Sequence, residues 1–414
     1  MNKKYIYSLL ASMLLISQTS FSQTNADTVE LDEIILSLPF NQDRGKSVIK
    51  VNKINLNSIN PILKSYISKS ISKLPGISLI STGPGIAKPS IRGLSASRVI
   101  IYNQGVRLEN HQWGDEHGVG VSTSGISSVE LIKGPAYVLY GSDAMGGVLY
   151  IEPERYSNDF SVDYMGIYNS NYSGITNNLG LKGSSGDFSY VLRGNMTDNQ
   201  NFSSPDGEVE NTWFKEYDFQ GGLKYQSEKF SSDLRLSMNI SELGIPQMEE
   251  GHEEGHDDHG GLTLANYLQQ DAELDGYEIE FGNTFDLASG ELMLSFGRDE
   301  VTGEFSNGGN IPRLNPARNI YRVKYSQDEM TLGLVFKDVE KQNDIGLGET
   351  ATDAHQMLNA KFTKSFNLGN QGALTLSLFG NNLLDEVARN HSSYVKKEVP
   401  LPGRNYGVRF NLTF

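Results

Sequence analysis

The chain has 414 residues, of which 38% are hydrophobic and 10% aromatic, and 35 Lys and Arg against 50 Asp and Glu give a formal charge of −15. Phosphate repels so acidic a protein, which argues against a nucleic-acid partner, and the absence of cysteine excludes disulfides, thiolate metal sites and a Cys nucleophile. Beyond the N-terminus no apolar run approaches the roughly 18 residues of a membrane helix, so any membrane span must be a β-barrel.

Residues 1–22 are predicted to be an export signal. Lys3 and Lys4 form a basic start, Ile6 to Ile16 is apolar, and Ser20-Phe21-Ser22 fits a cleavage site with small residues. The alternative is a short buried helix. Residues 23–48 are predicted to be a flexible arm with one apolar patch near Leu31, which could add as a strand to a partner's sheet or simply begin the next domain.

Residues 49–152 are predicted to form a compact α+β domain. Ile59 to Leu74 has helical spacing and is followed by Pro75-Gly76, a common helix stop. Short β-like runs follow at residues 77–80, 98–102 and 129–132, separated by Gly and Pro.

From residue 159 to the end, apolar and polar residues alternate with a period of two, the pattern of strands with one apolar face. We predict about 12 strands, near residues 159–170, 173–184, 187–200, 212–227, 230–244, 272–287, 290–304, 316–327, 330–343, 353–367, 372–381 and 404–414. A soluble sandwich has the same alternation, whereas a transmembrane barrel turns its apolar face to lipid. The last strand favours the barrel, because Tyr406, Phe410 and Phe414 share one face and an aromatic residue ends the chain.

Several motifs in residues 28–414 resemble those of TonB-dependent outer-membrane receptors. They are Leu74-Pro75-Gly76-Ile77, Ile91-Arg92-Gly93-Leu94, Val129-Glu130-Leu131-Ile132-Lys133-Gly134-Pro135, the run from Leu139 to Val148, and Gly380-Asn381-Asn382-Leu383-Leu384-Asp385. The resemblance implies a mainly β protein: a signal at 1–22, an arm at 23–48, an α+β plug at 49–152 and an antiparallel transmembrane β-barrel at 153–414.

By the same resemblance the apolar patch of the arm is a TonB box, the strand given to the energy-coupling protein. It comprises Leu31, Asp32, Glu33, Ile34, Ile35 and Leu36. The plug-motif residues are Arg92, Gly93, Glu130, Lys133, Gly134, Gly141, Gly146 and Gly147. Their glycines would permit tight turns or positive φ. Arg92 and Glu130 are hypothesised to form a structural ion pair, and no residue is assigned a catalytic role.

Two histidine-rich stretches predict metal binding. His252, His256 and His259 lie within eight positions, with Asp257, Asp258 and other acids around them, between two predicted strands. Imidazole and carboxylate suit Zn²⁺, Cu²⁺ or Ni²⁺, although a solvated acidic loop is the alternative. A second candidate site in the plug combines His111, His117, Asp115 and Glu116. Both stretches resemble zinc-uptake members of the receptor family.

One departure from the family concerns strand number, because the family barrel has 22 strands and this chain has about 12. With strands about 4.8 Å apart and tilted about 40°, 12 strands enclose roughly 14 Å and 22 strands roughly 34 Å. A plug of about 105 residues has a diameter near 33 Å, which fits only the wider barrel. Motif order suggests that about ten strands are lost at a join near Gly297 to Phe305. An open sheet, an oligomeric barrel and a chain that does not insert are the possible outcomes.

Three functions follow from these expectations. The first is a TonB-dependent receptor that imports a transition metal, zinc favoured, or a small metal complex across the cell outer membrane. Its partners would be a TonB-type protein, membrane lipid, the barrel-assembly machinery and the metal cargo, with no required cofactor and no nucleic acid. The second is a truncated relative that binds metal or partners without transport, and the third is a secreted or periplasmic β-rich binding protein. An enzyme is not expected, since neither a Ser nucleophile elbow nor an HExxH motif is present.

Overall fold

The computed structural model describes residues 51–55, 71–72, 74–83, 86–108, 124–133, 140, 142–246, 271–369 and 372–414, and the backbone of 34–35 and 42–43. Within these residues no helix is long and apolar enough to cross a membrane. The predicted signal and most of the predicted arm and helix at 59–74 lie outside the described residues. At the end of that helix only Ile71, Ser72 and Leu74 are described, and Ile71 is buried in the plug.

Nine strands precede the large sheet. They are β1 Ile34–Ile35, β2 Gln42–Asp43, β3 Val51–Asn55, β4 Ile77–Gly83, β5 Ile86–Ile91, β6 Val99–Asn103, β7 Val106–Leu108, β8 Ile126–Lys133 and β9 Gly147–Pro153. Short 3₁₀ helices span Ala96–Arg98 and Ser142–Ala144. The three β-like runs predicted in this region are therefore confirmed as strands.

The plug is built on a five-stranded sheet of order β3-β8-β9-β6-β7, with the β4–β5 hairpin beside it. Strands β6 and β9 pair in parallel, and the other neighbours in the sheet are antiparallel. Strand β8 is buried almost throughout, because Val129, Leu131 and Ile132 pack with β-branched and leucine side chains of the neighbouring strands. Burial on both faces extends to polar residues as well, because Ser128 and Glu130 of this strand are also buried.

Fourteen strands follow, two of them in a short surface hairpin, β13 Ser203–Ser204 and β14 Gly207–Glu208. The other twelve form the wall: β10 Ser161–Asn169, β11 Gly174–Ser185, β12 Phe188–Asn199, β15 Phe214–Gln226, β16 Ser231–Leu243, β17 Ala272–Leu287, β18 Gly290–Phe305, β19 Arg318–Gln327, β20 Met330–Val339, β21 His355–Asn367, β22 Ala373–Asn381 and β23 Asn405–Thr413. All twelve predicted strands are thus confirmed; β20 ends four residues earlier than predicted.

The wall is a single antiparallel sheet of order β16-β15-β12-β11-β10-β23-β22-β21-β20-β19-β18-β17. Strands β10 and β23 pair near its centre, and β16 and β17 are its two edges. Among the described residues these edges do not pair with each other, so the sheet is open. The segment of the predicted join, Gly297 to Phe305, lies inside β18, whose two neighbours are β17 and β19, and the loss of strands at that point stays a prediction. The break in the wall falls between residues 243 and 272.

The two faces of the wall have opposite polarity. On the outer face of β16, Leu234, Leu236, Met238 and Ile240 are 51–58% exposed. The inner face carries buried polar side chains, including Asn178, Asp218 and Asp299. Asn178 and Asp299 form hydrogen bonds with Ser124 and Gly76 of the plug. A soluble sandwich buries its apolar faces and exposes its polar ones, so this wall has the reverse arrangement. Tyr406, Phe410 and Phe414 are exposed on the outer face, as the terminal-strand pattern predicts.

The connections between wall strands differ in length at the two ends of the sheet. At one end, the short-turn end, they span two to five residues, at 186–187, 227–230, 288–289, 328–329 and 368–372. At the other, the long-loop end, they span four to 28 residues, at 170–173, 200–213, 244–271, 306–317, 340–354 and 382–404. The chain enters β10 and leaves β23 at the short-turn end. The histidine-rich stretch belongs to the longest connection, between β16 and β17.

Candidate functional site: the contacts between plug and wall

A buried ion pair on the wall forms the first contact with the plug, which we call the Arg318 anchor. Asp299 of β18 and Arg318 of β19 are directly opposed in the strand register. Arg318 Nε donates to both Asp299 carboxylate oxygens at 2.8 and 2.9 Å, and Nη2 lies 2.7 Å from Oδ2. The two side chains are 11% and 8% exposed. This is the bidentate, charge-assisted geometry that arginine forms with a carboxylate.

The remaining donors of Arg318 bind the plug backbone. They reach the carbonyl oxygens of Ser72 at 3.1 Å and Leu74 at 3.0 Å, and that of Ile77. In return, the Gly76 N–H donates to Asp299 Oδ2 at 2.5 Å. The Asp299–Arg318 pair therefore accepts from one backbone N–H and donates to three backbone carbonyl groups of the plug turn at 72–77. On the plug side the contact is made by backbone groups, so it does not depend on plug side chains.

Glu278 of β17 forms the second contact, the Glu278 anchor. Its carboxylate accepts from Arg92 Nε at 2.9 Å and from Lys133 Nζ at 2.6 Å, and Lys133 also reaches the Pro75 carbonyl oxygen at 2.6 Å. Gly76 lies beside this carboxylate with φ +72°, and a Cβ there would meet Glu278 Oε1 at 1.7 Å. Only glycine fits, because it tolerates positive φ and has no side chain.

The hypothesised ion pair between Arg92 and Glu130 is wrong. Arg92 extends from the plug to Glu278 on the wall, whereas Glu130 is fully buried inside the plug, 3.6 Å from Lys53 Nζ. The reason is topological. Arg92 follows the β4–β5 hairpin at the plug surface, and Glu130 is in β8, at the centre of the plug sheet between β3 and β9.

The third contact, the Arg193 anchor, fixes the segment that leaves the plug. Arg193 of β12 donates to Glu154 at 2.7 and 3.0 Å and to Asp163 of β10 through two bonds of 2.7 Å. It also reaches Asn178 Oδ1 at 2.5 Å, and Lys182 Nζ lies 3.2 Å from Glu154. The plug therefore contacts the inner wall on both sides of the central β10–β23 pair.

A fourth contact comes from the connection 382–404 at the long-loop end. Asn390 Nδ2 and Ser392 Oγ both donate to the Leu79 carbonyl oxygen of the plug, at 2.7 and 2.6 Å. Between them in sequence, His391 is 1% exposed. Its Nδ1 lies 2.7 Å from Thr352 Oγ1, and the long connections of the wall thus reach the plug through polar groups.

His391 is an ionisable side chain that the fold shields from water. His391 Nε2 lies 3.1 Å from Glu349 Oε1 without the alignment of a hydrogen bond, and Lys396 Nζ lies 3.6 Å from the same oxygen. Burial, with a smaller contribution from the Lys396 charge, lowers the pKa of His391 to about 4, against the opposing effect of Glu349. Burial also lowers the pKa of Lys396. His391 is therefore neutral at pH 7.

The plug-motif glycines have separate structural roles. Gly93 has φ +80°, and Gly147 has φ +146° with its Cα so close to β8 that a Cβ would lie 2.4 Å from the Ile132 carbonyl oxygen. Gly146 lacks positive φ but packs against the Arg98 carbonyl oxygen and Leu94. Gly134 and Gly141 lie outside the described residues.

The predicted metal and coupling residues are largely beyond what the structure describes. His252, His256, His259, Asp257 and Asp258 lie outside the described residues, as do His111, Asp115, Glu116 and His117. In the described part of the chain, no group of three or more His, Asp or Glu side chains is placed to hold a metal ion. Of the proposed TonB box, only the backbone of Ile34 and Ile35 is described; it pairs with Gln42–Asp43. These assignments stay predictions.

The wall residues of the anchors, Glu278, Asp299, Arg318 and Arg193, were not identified from the sequence. A signal for them exists, because each is a charged residue on the polar face of an alternating strand. A charged residue at a strand position that faces the plug, with Ser, Gly and Asn at the neighbouring positions of the same face, would be a candidate partner for the plug. Which plug atom it meets depends on the three-dimensional packing.

Known proteins share both parts of this architecture. Residues 46–148 match the family described as TonB-dependent Receptor Plug Domain. A stretch of 152 residues is 28% identical to the vitamin B12 transporter BtuB of Photobacterium profundum, covering 36% of this chain and 25% of that relative. The chain therefore spans only about a quarter of the length of this curated relative.

Among solved structures, the copper transporter OprC aligns with a TM-score of 0.67 at 11% identity, over 88% of this chain and 98% of that one. The unliganded ferric citrate transporter FecA aligns with a TM-score of 0.70 at 11% identity, over 90% and 98%. At sequence identities this low, the structural similarity shows a shared fold alone. Residues 46–148 are thus similar to the plug domain of TonB-dependent receptors, and the chain shares its fold, a plug with a large antiparallel sheet, with these two transporters.

Proposed function

We propose that the protein is a TonB-dependent receptor of the cell outer membrane that takes up a transition metal, zinc favoured, or a small metal complex. The observation that carries this proposal is the plug itself, held by polar anchors on the polar inner face of a wall whose outer face is apolar. Such a wall is stable where lipid covers the apolar face and the lumen is filled. Membrane lipid and the barrel-assembly machinery are accordingly partners, and nucleic acid is not.

The orientation follows from the connections. Outer-membrane barrels have short periplasmic turns and longer extracellular loops, so the long-loop end faces outward. The connection that contains His252, His256 and His259 then lies on the outside, where its histidines and acids would capture metal cations before import. The metal is cargo, and no resident cofactor is required.

Energy coupling would act on the plug. The arm with Leu31 to Leu36 precedes the plug, which continues into the wall at the short-turn end through Glu154 and β10. A TonB-type protein pulling on this arm would have to break the Arg318, Glu278 and Arg193 anchors. Because each anchor is a small set of hydrogen bonds and ion pairs, they can open in sequence without unfolding the wall.

Uptake of radioactive zinc by cells that produce the chain tests this proposal. Leu31→Pro removes a backbone donor from the strand that the partner would pair with, so it should abolish energised uptake while surface zinc binding persists. A matched control, Asn25→Pro, changes the arm outside the proposed box and should transport normally. Loss of both binding and uptake in Leu31→Pro would count against the TonB-box assignment.

The open wall favours one alternative, a relative that binds metal or partners at the membrane without transport. Strands β16 and β17 leave a row of backbone groups unpaired among the described residues, and each such group costs several kcal/mol, roughly, in hydrocarbon. Gel mobility before and after boiling separates the two functions. A compact species that shifts on heating indicates a closed, stable assembly and supports transport; its absence from outer membranes supports the alternative.

A further inference from the structure

An elongated cavity of about 540 Å³ runs between the plug and the wall. Plug residues 124–127 line one side, and strands β10, β11, β12, β15 and β21 to β23 line the other. Along the wall it extends from Ser161, at the short-turn end, to Thr176, which pairs with Ile167 six residues further along β10. At about 3.4 Å per residue this is roughly 20 Å. The cavity therefore follows most of the length of the strands.

Basic residues outnumber acidic ones around the cavity, although the whole chain is acidic. Five basic and three acidic side chains line it: Arg155, Lys182, Arg193, Lys361 and Arg409, and Glu154, Asp163 and Glu216. Glu154 and Asp163 are already engaged by the Arg193 anchor, and Glu154 also by Lys182. Arg155 pairs with Glu152. The charge of these groups is largely cancelled locally.

Lys361 and Arg409 differ from the other basic residues. In the described part of the chain neither side chain forms an ion pair or a hydrogen bond, and the acid that acts on Arg409 electrostatically is Asp163, which the Arg193 anchor already holds. Arg409 of β23 is opposite Ser377 of β22, whose hydroxyl lies 3.0 Å from that of Thr363 on β21, two residues from Lys361. The four residues Lys361, Thr363, Ser377 and Arg409 thus form one continuous area, which we call the cationic wall patch.

The spacing of this patch suits a ligand with more than one oxygen group. Two strand spacings and two residues along a strand separate the Cα atoms of Lys361 and Arg409 by roughly 12 Å, a distance that two long side chains can bridge toward a common ligand. Cations that are partly withdrawn from water are costly without a counter-charge. Charge-assisted hydrogen bonds to an oxyanion would offset that cost, and the two hydroxyls add neutral donors.

We propose that the cationic wall patch binds an anion through carboxylate or phosphate oxygens. If the transport function proposed above holds, on which this second step rests, the metal passes the plug as an anionic chelate and not as a free cation. A bare divalent ion would be repelled by Lys361 and Arg409, whereas a chelate of net negative charge would be attracted. Metal capture outside the cell would then favour a cation, whereas passage along the wall would favour a complex of net negative charge.

Calorimetric titration of the full chain in detergent with nitrilotriacetate, and separately with inorganic phosphate, tests the binding step. The double variant Lys361→Gln/Arg409→Gln should lose at least tenfold in affinity for whichever probe binds. Lys364→Gln is the matched control, because Lys364 is on the same strand with its side chain on the outer face, near the Phe366 ring. Its affinity should stay within twofold of the unmodified protein.

The proposal is overturned if the unmodified chain binds neither probe, or if the double variant binds as well as the control. A misfolded variant is recognised by lost heat-modifiable mobility, and Lys361→Arg, which keeps the charge, then serves as the second test. Lys361→Arg should retain binding and Lys361→Gln alone should weaken it. Equal affinity in these two would also reject the patch.

Transport is measured separately, so that the two proposals can fail independently. Cells are given zinc as the free ion or as its anionic nitrilotriacetate chelate. Chelate uptake that the double variant lacks supports both steps. Uptake of the free ion alone, unaffected by the double variant, rejects the anionic-cargo step. No uptake of either form, together with anion binding that needs Lys361 and Arg409, rejects the transport function and leaves the anion site intact.

Discussion

Replacing Arg318 by Gln should release the plug from one side of the wall. The substitution removes the cation from a pair that is about nine-tenths buried and leaves the Asp299 charge with the Gly76 N–H as its remaining hydrogen-bond donor among the described residues. Removing one partner of a buried pair costs about 3–5 kcal/mol, and three plug carbonyl groups lose their donor as well. Because water can enter and satisfy part of this loss, we expect about 3–5 kcal/mol in total for plug detachment.

The assay is urea-dependent cleavage of the plug by trypsin in the detergent-purified protein. Arg318→Gln should expose the plug at much lower urea than the unmodified chain. Arg298→Gln is the control: Arg298 is adjacent to Asp299 but a quarter exposed, with partners Tyr277, Glu300 and Glu340, so its loss should cost about 1 kcal/mol or less.

A double replacement separates charge pairing from packing. Asp299→Leu/Arg318→Leu removes both charges together, so it should destabilise the plug less than Arg318→Gln does. The reasoning is refuted if Arg318→Gln costs no more than Arg298→Gln, or if the double replacement equals the sum of the two single Leu variants.

Three further outcomes are expected. An unfolded His has a pKa near 6.5, whereas burial lowers the pKa of His391 in the fold to about 4. Between these pH values only the unfolded chain binds this proton, so the stability of the fold decreases as pH drops from about 6.5 to about 4. His391→Gln should flatten that part of the curve of melting temperature against pH, and parallel curves for the two proteins would contradict the argument. Gly147→Ala should cost at least about 2 kcal/mol in plug unfolding because of φ and the contact with Ile132, whereas Gly105→Ala, with positive φ but open space, should cost about 1 kcal/mol; equal costs would reject the contact. His252→Ala/His256→Ala/His259→Ala should weaken zinc binding at least tenfold, about 1.4 kcal/mol, in calorimetry, and unchanged affinity would remove this stretch from the metal hypothesis.

Local patterns predicted the strands well, because side-chain direction alternates along a strand whatever it pairs with. Leu234, Leu236, Met238 and Ile240 illustrate this, since their common face could be read directly and is exposed in the fold. The aromatic face of the last strand was predictable for the same reason. The resemblance of short plug motifs also gave the correct fold class.

Pairing between distant residues could not be predicted in the same way. Nothing in the alternation of β16 or β17 marks them as the edges of the sheet. Likewise, Arg92 meets a carboxylate 186 residues away, and no local pattern favours Glu278 over Glu130. The cationic wall patch depends on three strands coming together in one register, which sequence spacing alone does not reveal.

The pairing of β10 with β23 has a consequence for the order of folding. The wall consists of two meanders, β10 to β16 and β17 to β23, in which each strand pairs with a neighbour close in sequence, and among the described residues the β10–β23 pair is where strands of the two meanders pair. That junction joins residues about 250 positions apart, so its loop-closure entropy is the largest in the wall. The two halves cannot join before the final strand has been synthesised. Until then the plug, anchored to Arg193 in one meander and to Glu278 and Arg318 in the other, bridges them.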